Sequence, residues 1–181
     1  MTSSMIEIFN GDEYRVYIDD YVMVFRPKTI SGNVLLLPPP GVKPQFYSVL
    51  AVLLTKLGIG VVMPRRHLPC SQSRLRQVIN KLLERNNYDL VIMLGFDLGA
   101  ISSPRLIIGF SGDNFIKQLV RSNVPGSVHG LLINDCAWVR DSVRNAVFSI
   151  DEELPSLSTI VRIRDLVLST LHLGGVSKNN N

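Results

Sequence analysis

The chain has 181 residues, 46% of them hydrophobic and 19% charged, a composition that fits one globular domain and excludes a disordered or low-complexity chain. Nineteen basic residues against fifteen acidic ones leave a net charge of +4, too mild an excess to argue for a nucleic-acid partner. Apolar runs such as 34–37 are far shorter than the ~18 residues a membrane span needs, and residues 1–7 have no basic start or apolar signal core, so a cytoplasmic protein away from the membrane is expected.

Residues 5–9 alternate apolar and polar, as a half-buried strand does, and Asn10-Gly11-Asp12 marks a turn. The alternation returns over 14–18 and 21–25 around Asp19-Asp20, so the N-terminus reads as an antiparallel meander. After the loop from Pro27 to Gly32 the pattern changes. Residues 33–37 are a continuous apolar run, the mark of a strand buried on both faces, and Pro38-Pro39-Pro40-Gly41 stops it. Phe46, Val49, Leu50, Leu53, Leu54 and Leu57 then recur at helical spacing, with Gly58 as a C-terminal stop. Residues 59–63 form a second buried strand. Ser71 or Ser73 is placed to cap a helix whose stripe is Leu75, Val78, Ile79, Leu82 and Leu83.

Two apolar runs come next, 90–94 and 106–108, only about ten residues apart and interrupted by Pro104. A parallel crossover usually takes a dozen residues or more, so one of these runs is expected to be helical or their pairing irregular. Residues 113–121 read as a helix, 128–133 as a buried strand and 156–173 as a helix closed by Gly174-Gly175. No final strands are evident after residue 140. The expected fold is therefore one α/β domain over 1–175 with a flexible tail at 176–181. It has a mostly parallel central sheet, helices on both faces and an antiparallel N-terminal meander. Leu53, Leu82, Ile92, Ile107, Leu119 and Ile133 are expected in the core. Cys70 and Cys136 lack zinc-ligand spacing and read as free thiols in a reducing compartment.

This order of meander, strand, Gly-containing loop, helix, strand, helix, strand and tight turn resembles the α/β-hydrolase fold, in a truncated version, over residues 5–140. Gly109-Phe110-Ser111-Gly112-Asp113 is similar to that family's G-x-S-x-G nucleophile elbow, with Asp113 where the family usually has Gly. The resemblance implies a small serine hydrolase acting on an ester or thioester. Ser111 would be the nucleophile, Asp135 the orienting acid and His172 the base, with His67 as the alternative base. Backbone donors to an oxyanion would come from Gly112, Gly41 and Val42, since three prolines remove the other N–H groups of that loop. A competing elbow is Gly95-Phe96-Asp97-Leu98-Gly99-Ala100, where Asp97 resembles the aspartate nucleophile of dehalogenase-type hydrolases.

The rival functions are a hydrolase-like fold that has lost catalysis and serves as a binding or assembly subunit, and a Rossmann-like module for a phosphorylated ligand. The chain has no G-x-G-x-x-G and no Walker-type phosphate loop. Arg65 and Arg66 lie just past a strand end and are candidates to hold an anionic group. A ligand site is expected at the carboxyl ends of the strands, lined by Gly41, Val42, Arg65, Gly95, Ser111 and Asp135. The partner would be a small molecule or another protein, and no cofactor or metal is implied.

Overall fold

A computed structural model describes residues 4–110, 148–150 and 156–176. Among these residues eight strands form one sheet in the order β1-β2-β3-β5-β4-β6-β7-β8. The meander consists of β1 (Ile6–Asn10), β2 (Tyr14–Ile18) and β3 (Val22–Pro27), paired antiparallel. β3 then runs antiparallel to β5 (Ile59–Pro64), with Val22 opposite Pro64. From there the sheet is parallel. β4 (Gly32–Leu37) pairs with β5 from Gly32 opposite Ile59, and with β6 (Leu90–Leu94) from Val34 opposite Leu90. The switch from alternating to continuous apolar sequence thus marks the switch from antiparallel to parallel pairing.

Burial explains that switch. Every residue of β5 and β6 is buried, whereas every residue of β1 is exposed. A 3-10 turn (Pro44–Tyr47) leads into α1 (Ser48–Lys56), which ends where the Gly58 N–H donates to the Thr55 carbonyl. α2 (Gln72–Leu83) buries Leu75, Ile79 and Leu82, the four- and three-residue spacing of one helical stripe. Chain order takes α1 from β4 to β5 on one side, and α2 from β5 past β4 to β6 on the other. Right-handed crossovers in opposite directions place the two helices on opposite faces of the sheet. The last helix, α3 (Leu157–Val176), packs against α1. No helix among the described residues is long and apolar enough to cross a membrane.

Leu82, Ile92 and Ile107 are buried as expected, and Leu53 is half-buried against the core. Leu119 and Ile133, like the helix at 113–121 and the strand at 128–133, lie outside the described residues.

Three expectations need correction. Both apolar runs after α2 are strands, and they pair in regular parallel register, Val91 opposite Arg105 through Leu94 opposite Ile108. β7 (Arg105–Phe110) comes after β6 across residues 95–104 with no helix between. Ten residues reach at most about 33–36 Å. Returning along four paired positions takes about 13 Å, so the connection is long enough without a helix. The length rule reflects the helices that crossovers usually carry, not a limit of reach. Secondly, a strand is present after residue 140: β8 (Phe148–Ile150) pairs parallel with β7. Three residues are too few to show a period. Thirdly, Cys70 is not a free thiol but disulfide-bonded. Cys136, the other cysteine, lies outside the described residues.

Candidate functional site at the carboxyl edge of the sheet

Three loops leave the carboxyl ends of the central parallel strands. The first is the loop after β4. Its residues Pro38 to Val42 are buried, and Gly41 has φ +79°. The Gly41 N–H donates to the Leu68 carbonyl at 2.9 Å, and the Val42 N–H to the Pro39 carbonyl at 3.1 Å. Two of the three backbone donors expected to face an oxyanion, Gly41 and Val42, are therefore bound to carbonyls of the chain itself. The Gly41 bond holds the loop after β4 against the loop after β5, and the Val42 bond closes the loop after β4 on itself.

The second loop is the one after β6. In the order strand, helix, strand, tight turn, this is the turn position, and Gly95-Phe96-Asp97-Leu98-Gly99 occupies it. Gly95 and Gly99 have φ +75° and +79°, the left-handed region that glycine adopts without a side-chain clash. Phe96 and Leu98 are buried, which pins the loop from inside. Outside, the Arg76 guanidinium donates to the Leu98 carbonyl at 2.8 Å. The Asp97 carboxylate accepts the Gly99 N–H at 2.8 Å and lies 3.5 Å from Arg105 Nε. Asp97 thus closes a turn and pairs with a cation. No helix starts within 95–104, so no helical N-terminus stands behind Asp97 to supply backbone donors.

The third loop comes after β5, and here the predicted arginine pair divides. Arg65 is turned onto the protein: its guanidinium donates to the Asp19 carbonyl at 2.9 Å, and its N–H to the Tyr21 carbonyl at 2.8 Å. Arg66 points the other way, into a cleft of about 590 Å³ between this loop, the β2–β3 turn and α2. His67 lines the same cleft and is exposed. Of the predicted site residues, Arg66 and His67 are the two that line it.

Asp19 organises this corner. Its side chain is fully buried, and its carboxylate accepts the N–H groups of Tyr21 at 2.7 Å and Val22 at 2.8 Å and pairs with Arg85. Burial pushes the carboxyl's pKa up. The two N–H bonds and the Arg85 guanidinium outweigh burial and hold it below the usual carboxylate range. Arg85 also lies over the Tyr21 ring, 5.8 Å from its centre. Sequence reading treats Asp19-Asp20 as a plain turn. The signal it passes over is the spacing along α2 and the turn that ends it: Val78, Lys81 and Leu82 stand at i, i+3 and i+4 on one face of the helix, and Arg85 follows at i+7 in the turn just beyond it.

His172 is exposed on α3, fifteen residues beyond the helix's first residue, about 22 Å along its axis. Ser111, Gly112 and Asp135 lie outside the described residues. Among the described residues no three His, Cys, Asp or Glu side chains come together as a metal site.

No family model and no curated protein matches the sequence. Solved structures do match. A dienelactone hydrolase from Anabaena variabilis is 11% identical, covering 92% of this chain and 94% of its own, with a TM-score of 0.48. An esterase from Exiguobacterium antarcticum is also 11% identical, over 94% of this chain and 100% of its own, with a TM-score of 0.48. A predicted CIB-like hydrolase from Thermoplasma acidophilum is 10% identical over 91% and 98%, with a TM-score of 0.45. The chain itself has an α/β fold, with an antiparallel N-terminal meander and a parallel sheet beyond it.

Proposed function

We propose that this hydrolase-like protein is a binding module without a conventional ester-hydrolase centre. The observation that carries this reading is the connection between β6 and β7, which closes in residues 95–104 with no helix. An elbow works because a strand, a sharp turn and a helix expose a nucleophile beside the first N–H groups of that helix. At Asp97 the turn is present and the helix is not. The loop after β4 supports the same reading, since the Gly41 and Val42 N–H groups are already bonded. Losing one oxyanion donor costs about 3–4 kcal/mol in the transition state, and among the described residues neither the loop after β4 nor the turn after β6 offers a free one. Asp97, engaged by Gly99 and Arg105, is poorly placed to attack a substrate.

The finer rival is ester or thioester hydrolysis by Ser111 with Asp135 and either His172 or His67. A fluorophosphonate probe and intact-mass measurement separate the two. The binding reading expects no covalent adduct, and ester turnover no higher than that of Ser111→Ala. An adduct on Ser111, with turnover lost in Ser111→Ala, overturns it.

A further inference from the structure

The cleft beside α2 gathers positive charge that the protein does not use. Among the described residues, Arg66, Lys81 and Arg85 line it against one carboxylate, that of Asp20, and His67 adds a further polar ring. Arg85 is paired with Asp19. Arg66, His67 and Lys81 make no hydrogen bond or ion pair among the described residues. Two unpaired cations thus face one volume from different elements, Arg66 from the loop after β5 and Lys81 from α2. Between them the walls are apolar: Pro64, Leu68, Pro69, Val78, Leu82 and the Tyr21 ring. A volume of about 590 Å³ lies within the ~300–1,000 Å³ range of small-molecule sites.

The corner is also built to stay in place. Asp19 holds the β2–β3 turn through two N–H groups, holds Arg65 through its carbonyl and holds Arg85 through its carboxylate. Three elements that line the cleft are therefore tied to one buried residue. Such preorganisation lowers the cost of ordering a site on binding.

From this juxtaposition of Arg66, Lys81 and an apolar wall carrying Tyr21, we propose that the cleft binds a small phosphate monoester with an apolar or aromatic body. The phosphate dianion matches two cations, Arg66 offering a planar fork of donors and Lys81 a point charge. The organic body lies against Leu68, Val78 and Leu82. This inference stands apart from the reading of the strand edge. Covalent labelling of Ser111 would overturn that reading and leave the cleft unaffected.

Calorimetric titration of the full chain with phenyl phosphate tests it. Binding is expected, weakened by added salt. It should weaken at least tenfold in an Arg66→Gln, Lys81→Gln double variant with unchanged thermal stability. Inorganic phosphate and benzyl alcohol each supply half of the ligand, and both should bind at least tenfold more weakly than phenyl phosphate. Absence of binding at millimolar phenyl phosphate overturns the proposal, as does an unchanged affinity in the double variant. Inorganic phosphate binding as tightly as phenyl phosphate overturns the assignment of the apolar wall.

Discussion

The loops after β5 and β6 start from the same edge of the same sheet and use arginine in opposite ways. After β6, Arg76 and Arg105 are directed at the loop itself, one on the Leu98 carbonyl and the other on Asp97. After β5, Arg65 is bound to the protein and its neighbour Arg66 is left to the cleft. The loop after β6 leads directly back into a strand, and the loop after β5 leads into α2. Without a helix, the ten-residue link is held by arginines from α2 and β7 and by the Gly99 N–H on Asp97. With a helix to anchor the loop, side chains remain for a ligand. A glycine-spaced turn at a strand end is therefore not enough to mark an active site. The element that the turn leads into decides.

The largest expected effect comes from removing the residue that ties the cleft together. Asp19→Ala should destabilise the fold by about 3–5 kcal/mol, as breaking a buried ion pair does. Urea unfolding measures it, and a loss below about 1 kcal/mol would show that the corner is not held by Asp19.

The same carboxylate sets an acid limb. Its folded pKa lies below the unfolded value of about 3.9, so its stabilisation is complete above that pH and is lost as pH falls through the folded value. Stability should decline below about pH 4, and Asp19→Asn should flatten that decline. A parallel acid limb in the variant would assign it to other carboxylates.

On the other side of the comparison, Arg76→Ala removes a charged donor from the Leu98 carbonyl and should cost about 1–2 kcal/mol. Hydrogen exchange should rise over 95–99 while the cleft keeps its affinity for phenyl phosphate. Loss of that affinity would mean that the two loops are coupled.

A smaller effect of opposite sign is expected at Tyr47. This side chain is almost wholly buried, its hydroxyl has no hydrogen-bond partner among the described residues, and burial pushes its pKa well above the usual tyrosine range. Tyr47→Phe should raise stability by about 1 kcal/mol in thermal unfolding. A loss instead would reveal a partner for the hydroxyl.

Much of the fold is legible in the sequence. Alternation locates the meander, and continuous apolar runs locate β4, β5 and β6, because burial on one face or two writes different periods. The pairing of β6 with β7 is hidden by the shortness of the link, and β8 by its three residues. At the site, adjacent arginines look alike in sequence. Only the position of the Asp19 carbonyl shows that Arg65 is structural and Arg66 is free to face a ligand. The glycines around Asp97 are visible in the sequence, and so is Pro104, which falls too soon after them for a long helix to follow.

The central claim is that ligand binding has its place at the loop after β5 and not at the turn after β6. Amide shift perturbation by NMR during a phenyl phosphate titration tests it directly. The predicted result is a set of shifts concentrated at Tyr21, Arg66, His67 and residues 78–85 at the end of α2 and the turn after it, with residues 95–99 unmoved. Shifts centred on 95–99, or on Ser111 and its neighbours, would contradict it.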